Sequence, residues 1–103
     1  IYVAAYAGHT AIVQFLVNQG SKCDAQTDAG WTALHAACEG GHLATVRVLL
    51  NTGAEVNLSS RIDDTPLHTA ARWGQAPIIG VLLEYGAFMD SVNNIGYSPL
   101  RMA

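Results

Sequence analysis

The chain has 103 residues, of which 50% are hydrophobic and 13% are charged, and its formal net charge is -3. This length suits one domain, and the high apolar content excludes a disordered segment. Five Lys and Arg without a basic run disfavour a nucleic-acid interface, and the longest apolar run, over residues 77–83, is far shorter than a bilayer span.

The two cysteines, Cys23 and Cys38, form neither a disulfide framework nor a metal-ligand pattern. Their use predicts a reducing compartment inside the cell, cytoplasmic or nuclear. Both occupy positions at which apolar residues recur, so we expect them in the core. Membrane insertion is not expected.

The sequence repeats itself with a period of 33 residues. Leu34-His35 returns as Leu67-His68, and the same register extends backwards to the first residues without a gap. We therefore divide a single domain, residues 1–103, into repeat units. These are a partial repeat over 1–30, repeats over 31–63 and 64–96, and the start of a further repeat over 97–103.

Each repeat is predicted to hold two short helices followed by an extended loop. In the first repeat, Gly8 and Gly20 mark the ends of the two helices. In the second, Thr32 is a candidate N-cap for a helix that Gly40-Gly41 stops. Apolar residues at spacings of three and four then predict a second helix over 42–51, and the loop follows it.

In the third repeat, Thr65 precedes Pro66, which is expected at the first helical position, where a missing N–H costs nothing. Pro77 is predicted to open the second helix in the same way. Gly80 inside that helix costs about 1 kcal/mol relative to alanine. Helices this short are unstable alone in water, so each repeat must stack on its neighbour, which predicts an all-α solenoid.

Two segments, TPLHTAARWG over 65–74 and VRVLLNTGAEVN over 46–57, resemble the ankyrin repeat, and the resemblance covers the whole chain. It implies stacked antiparallel helix pairs joined by hairpin-like loops. It also implies a protein-binding module that uses the concave first-helix face and the loop tips, without a cofactor. We expect a segment of a longer array, with further ankyrin repeats on both sides in the parent chain. Asp63 stands at the position of a loop glycine, so we expect a positive φ there.

Four histidines raise the question of a metal or catalytic site, with Cys38 as a nucleophile. All four recur at the repeat period, however, and the eight acidic residues show no metal-ligand spacing. The ankyrin resemblance implies that His35 and His68 bond to nearby backbone and brace the loops. We therefore expect no metal site, no catalytic residue and no enzyme activity.

The binding surface is predicted from positions that line up at the repeat period yet vary in chemistry. Trp73 is the expected anchor, because packing does not explain it and tryptophan is enriched in binding hot spots. The mixed charges favour a protein partner, of unknown identity, over a uniformly charged polymer. For Trp31 and Tyr97, local packing and partner contact are both open. The predicted contact residues are Tyr6, Asp28, Trp31, Glu39, Arg61, Asp64, Arg72, Trp73 and Tyr97.

The segment LLNTGAEVN over 49–57 resembles the ankyrin substrate pattern of an iron-dependent asparaginyl hydroxylase. Leu49 lies eight residues before Asn57, and Glu55 lies two residues before it. Two interpretations are open: Asn57 is a hydroxylation site, or it only braces the loop through backbone hydrogen bonds.

The leading functional hypothesis is a protein-interaction scaffold in an intracellular adaptor. The alternative is a structural or regulatory ankyrin region of a larger channel or enzyme that packs against its own chain. An enzyme domain is disfavoured because no constellation of residues supports it. Flanking sequence would separate the first two hypotheses.

Overall fold

Six α-helices make up the regular structure of residues 1–89, which are the residues that this computed structural model describes. No strand occurs in that part of the chain. The start of a further repeat over 97–103, with Tyr97, lies outside it. The helices are α1 (Tyr2–Tyr6), α2 (Thr10–Asn18), α3 (Ala33–Gly40), α4 (Leu43–Asn51), α5 (Pro66–Arg72) and α6 (Ala76–Glu84).

The helices stack in two layers. The first helices of the repeats, α1, α3 and α5, pack side by side, and the second helices, α2, α4 and α6, form the other layer. Each first helix also packs on the second helix of its own repeat. This arrangement confirms the predicted stack of helix pairs, in which each repeat covers the apolar face of its neighbour.

The first helices begin where the threonine signals predict. The Thr32 side chain accepts a hydrogen bond from the His35 N–H at 3.3 Å, and the Thr32 N–H donates to His35 Nδ1 at 3.1 Å. Thr65 and His68 form the same reciprocal box. Pro66 opens α5 as predicted, whereas α6 begins at Ala76, so that Pro77 takes the second helical position instead of the first.

The core lies between the two helix layers and is apolar. Its largest fully buried aliphatic side chains are Leu34, Leu49, Ile78 and Leu82. Cys38 is fully buried, as predicted, and burial strongly raises the pKa of its thiol. Cys23 is half-buried against the same core, and both cysteines are free thiols.

Hydrogen bonds of buried side chains join one repeat to the next, in addition to the apolar contacts. His35 Nδ1 accepts from the Thr32 N–H, so the neutral ring carries its proton on Nε2. Nε2 then donates to the carbonyl oxygen of Asp64, in the next repeat, at 2.8 Å. His35 is therefore a buried brace with both ring nitrogens bonded, which confirms the structural interpretation of this histidine.

The loops are also joined to each other. The Arg61 N–H donates to the Ala29 carbonyl at 2.9 Å, so neighbouring loop tips are in register. Gly30 has a φ of +85°, and a Cβ there would lie 2.8 Å from the Arg61 nitrogen, which explains why this position requires glycine. Asp63 takes the equivalent place with a φ of 61°, as predicted.

Candidate functional site

A hollow of about 170 Å³ opens on the layer of first helices. All three of these helices contribute to it, and so do the residues that flank α3 and α5. A hollow assembled from three repeats has a shape that no single repeat could form. Its lining residues are Tyr2, Trp31, His35, Glu39, Thr69, Arg72 and Trp73.

Aromatic side chains give the hollow its apolar surface. Trp73 lines the hollow, directly follows α5 and is 53% exposed, whereas Tyr6, at the end of α1, is 47% exposed but does not line the hollow. Trp31 is half-buried and packs edge-on against the buried His35 ring, with the centroids 5.1 Å apart. Trp31 therefore packs locally and lines the hollow as well, so the two interpretations of this residue are compatible.

Asp64 corrects the predicted contact surface. It was expected to be exposed, but its side chain is fully buried. Its N–H donates to Ser60 Oγ, its carbonyl oxygen accepts from His35, and its Oδ2 accepts from Arg72 Nη2 at 2.5 Å. Asp64 therefore cannot meet a partner directly, and its role is to position the Arg72 guanidinium at the rim of the hollow.

The two charged residues that line the hollow differ in how they are paired. Arg72 is neutralised by Asp64, whereas Glu39 is half-buried and has no ion-pair partner among residues 1–89. Tyr2 shows the effect of this carboxylate. Burial raises the pKa of the Tyr2 phenol first, and the negative charge of Glu39 raises it further, so the hydroxyl stays protonated.

The remaining predicted contacts lie away from the hollow. Asp28 and Arg61 are exposed in the loops of successive repeats, where the backbone bond between the loops keeps them in register. Tyr97 lies beyond the part of the chain that the structure describes. Three lining residues were not predicted as contacts: Tyr2, Thr69 and His35, of which only His35 was assigned a role, as a structural brace. Tyr2 occupies the position of His35 one repeat earlier, and this departure from the repeat pattern was the available signal.

Asn57 bonds to the following repeat in both directions. Its Oδ1 accepts from the Phe88 N–H at 2.9 Å, and its Nδ2 donates to the Gly86 carbonyl at 3.1 Å. Asp24, the equivalent residue one repeat earlier, accepts from the Glu55 N–H at 2.9 Å. Loop bracing is thus a real role of Asn57, and a modifying enzyme would have to open these two bonds.

The histidines and acids of the described residues do not gather into a metal site. His42 Nε2 lies 2.8 Å from the Tyr6 carbonyl oxygen and joins the first two repeats, whereas His9 is exposed. Across residues 1–89, no group of three or more histidine, cysteine or acidic side chains could hold a metal ion. None of the helices in that range is long and apolar enough to cross a bilayer.

The comparison with known families agrees with this geometry. A family model described as ankyrin repeats, in three copies, matches residues 1–95. That span holds all six helices and every residue that lines the hollow. A search of the curated proteins gives no match.

Proposed function

Because the chain belongs to the ankyrin repeat family, whose members generally mediate protein–protein interaction, we propose that it is the partner-binding scaffold of an intracellular adaptor. The partner docks on the first-helix face, with the hollow at the centre of the contact. Tyr6, Glu39, Arg72 and Trp73 form this central surface. Asp28, Trp31, Arg61 and Tyr97 extend it toward the loops.

The exposed aromatic hollow carries this proposal. Trp73 is not part of the apolar core of the described residues, and more than half of its surface is exposed. A large exposed aromatic surface that the core does not use supports a binding site, because tryptophan, tyrosine and arginine are enriched among binding hot spots. No residue of the hollow is arranged as a nucleophile with a base, which favours binding over catalysis.

Trp73→Ala tests the proposal. We expect the variant to bind the partner with a Kd raised about 30-fold, because removal of a hot-spot tryptophan costs about 2 kcal/mol or more. Its melting temperature should stay close to that of the wild type, because the ring is largely exposed. Isothermal titration calorimetry with the partner purified from the native cell measures the first quantity, and calorimetric melting measures the second.

Phe88→Ala is the matched control, because Phe88 is an exposed aromatic residue that does not line the hollow. It should leave the Kd unchanged. Equal losses in the two variants, or no loss in Trp73→Ala, would contradict the proposed surface. A photo-crosslinker placed at Tyr6 in the parent protein separates the alternative function: crosslinks within one chain indicate a regulatory region that packs on its own protein.

A further repeat is proposed to pack on the amino-terminal face of the stack. Ile12 is 49% exposed, whereas the equivalent residues of the next two repeats, Thr45 and Ile78, are 0% and 2% exposed. Val3 and Phe15 are exposed on the same repeat. The preceding repeat buries this position in the second and third units, so an additional unit would bury Ile12. A repeat on the other side would follow the described residues.

Extension of the chain by one native repeat before residue 1 is therefore expected to raise the melting temperature by at least about 4 °C. This value corresponds to about 1 kcal/mol for a domain of this size, and burial of the exposed apolar face supplies the free energy. In the extended protein, Ile12→Lys should cancel most of the gain. An extended protein that melts at the original temperature would contradict the proposal.

Hydroxylation of Asn57 is proposed alongside its bracing role. Incubation of the protein with an iron-dependent asparaginyl hydroxylase, dioxygen and the enzyme's organic co-substrate should add the mass of one oxygen atom to the peptide that contains Asn57. Dioxygen supplies that atom, and the co-substrate supplies two electrons and takes up the second oxygen atom. The reaction should be faster in a destabilised variant, because the two hydrogen bonds of the Asn57 side-chain amide must open first. Asn51, on a helix of the same repeat, is the internal control. An unmodified Asn57 peptide after full incubation leaves bracing as the role of this residue.

A further inference from the structure

The hollow contains one charge that the described residues leave uncompensated, and that charge is negative. The positive charge of Arg72 is neutralised by an ion pair with the buried Asp64 carboxylate. Glu39 has no ion-pair partner within residues 1–89. The formal charges of Arg72, Asp64 and Glu39 therefore add up to -1. A cationic group is therefore the electrostatic complement of the hollow, and a carboxylate would meet Glu39 as a like charge.

The lining is suited to a flat cation. Three aromatic residues, Tyr2, Trp31 and Trp73, line the hollow together with Glu39. Aromatic rings attract cations through their negative faces, and tryptophan does so most strongly. The volume of about 170 Å³ is below the roughly 300–1,000 Å³ of pockets that hold drug-sized ligands. The hollow therefore fits a single side chain.

We propose that the hollow binds the guanidinium group of an arginine side chain on the partner protein. This inference rests on the proposed function and specifies the chemistry of the partner. The guanidinium plane stacks on an indole ring, and its N–H groups donate to the Glu39 carboxylate in the paired geometry that arginine favours. Lysine offers the same charge but neither the plane nor the paired donors.

Short peptides provide the direct test. The full chain is titrated with five-residue peptides, acetylated and amidated, that carry arginine, lysine, norleucine or glutamate at the centre and alanine elsewhere. The chain has two tryptophans, and both line the hollow, so intrinsic tryptophan fluorescence reports its occupation. We expect the arginine peptide to bind about tenfold more tightly than the norleucine peptide, with lysine between them and no binding of glutamate.

Glu39→Gln is the diagnostic variant, because it keeps the size of the side chain and removes its charge. It should weaken the arginine peptide about fivefold and leave the norleucine peptide unchanged. Glu55→Gln is the matched control, because Glu55 is an exposed acid outside the hollow, and it should bind all four peptides as the wild type does. A circular dichroism melt confirms that both variants are folded.

Three results would each overturn the inference: equal binding of norleucine and arginine, equal binding of lysine and arginine, or tightest binding of glutamate. The last result would show that Arg72 recruits a carboxylate instead. The peptide result is separate from the partner test. Selective arginine binding together with an unaffected partner in Trp73→Ala would refute the proposed function and keep the arginine site. Unselective peptide binding together with a weakened partner in Trp73→Ala would keep the proposed function and refute the arginine site.

Discussion

Replacing His35 with alanine lowers the expected free energy of unfolding by about 3 kcal/mol. The ring is buried, and its removal leaves a void beneath Trp31. It also deprives the Thr32 N–H and the Asp64 carbonyl oxygen of their partners. Each unsatisfied buried group costs about 1–3 kcal/mol. Urea unfolding followed by circular dichroism measures the loss.

His9→Ala is the control for this measurement, since His9 is exposed and lies outside the core. An exposed substitution of this kind is expected to change stability by less than about 0.5 kcal/mol. A His35→Ala variant that unfolds at the wild-type urea concentration would show that the bond between the repeats is dispensable. In that case the apolar layers alone would hold the second and third repeats together.

Acid should destabilise the protein through the same residue. Burial lowers the pKa of His35 from 6.5 to about 4. As the pH falls from about 6.5 to about 4, the unfolded chain takes up a proton that the folded chain resists, so the free energy of unfolding decreases. The full decrease is about 3 kcal/mol, and little more is lost to this residue below pH 4.

The His35→Ala variant isolates this effect, because every other titrating group is common to both proteins. The difference in unfolding free energy between wild type and variant should be largest near pH 7 and shrink by about 3 kcal/mol toward pH 4. Urea titrations at intervals of half a pH unit test this. A difference that stays constant from pH 7 to pH 4 would mean that the pKa of His35 is the same in the folded and the unfolded chain, which would contradict the prediction.

The fold was largely predictable because the same constraints recur every 33 residues. Thr32 and Pro66 are local signals, and α3 and α5 begin where these residues predict, whereas the capping boxes that His35 and His68 complete were not predicted. Family membership and the stacked helix pairs were confirmed for the same reason. The start of α6 was wrong by one residue, since proline is tolerated at more than one position in the first turn of a helix.

The candidate site was less predictable, because it depends on contacts between repeats. Asp64 and Arg72 were interpreted as two exposed charges of opposite sign, but they form one ion pair whose carboxylate is buried. They lie eight positions apart in the sequence, and only the packing of the loop on the helix brings them together. Exposure of Trp73 followed from its variable position in the repeat, and it was confirmed.

The bonds that His35, Asp24 and Asn57 make to the following repeat have a mechanical consequence. Tension applied to the two ends of the chain loads every boundary between repeats with the same force, and the weakest boundary opens first, because each repeat is held only by its neighbours. Release of one repeat of 33 residues lengthens the chain by roughly 110 Å. The stack would therefore lengthen in steps of one repeat, and the first step would already take apart the hollow, because three repeats line it.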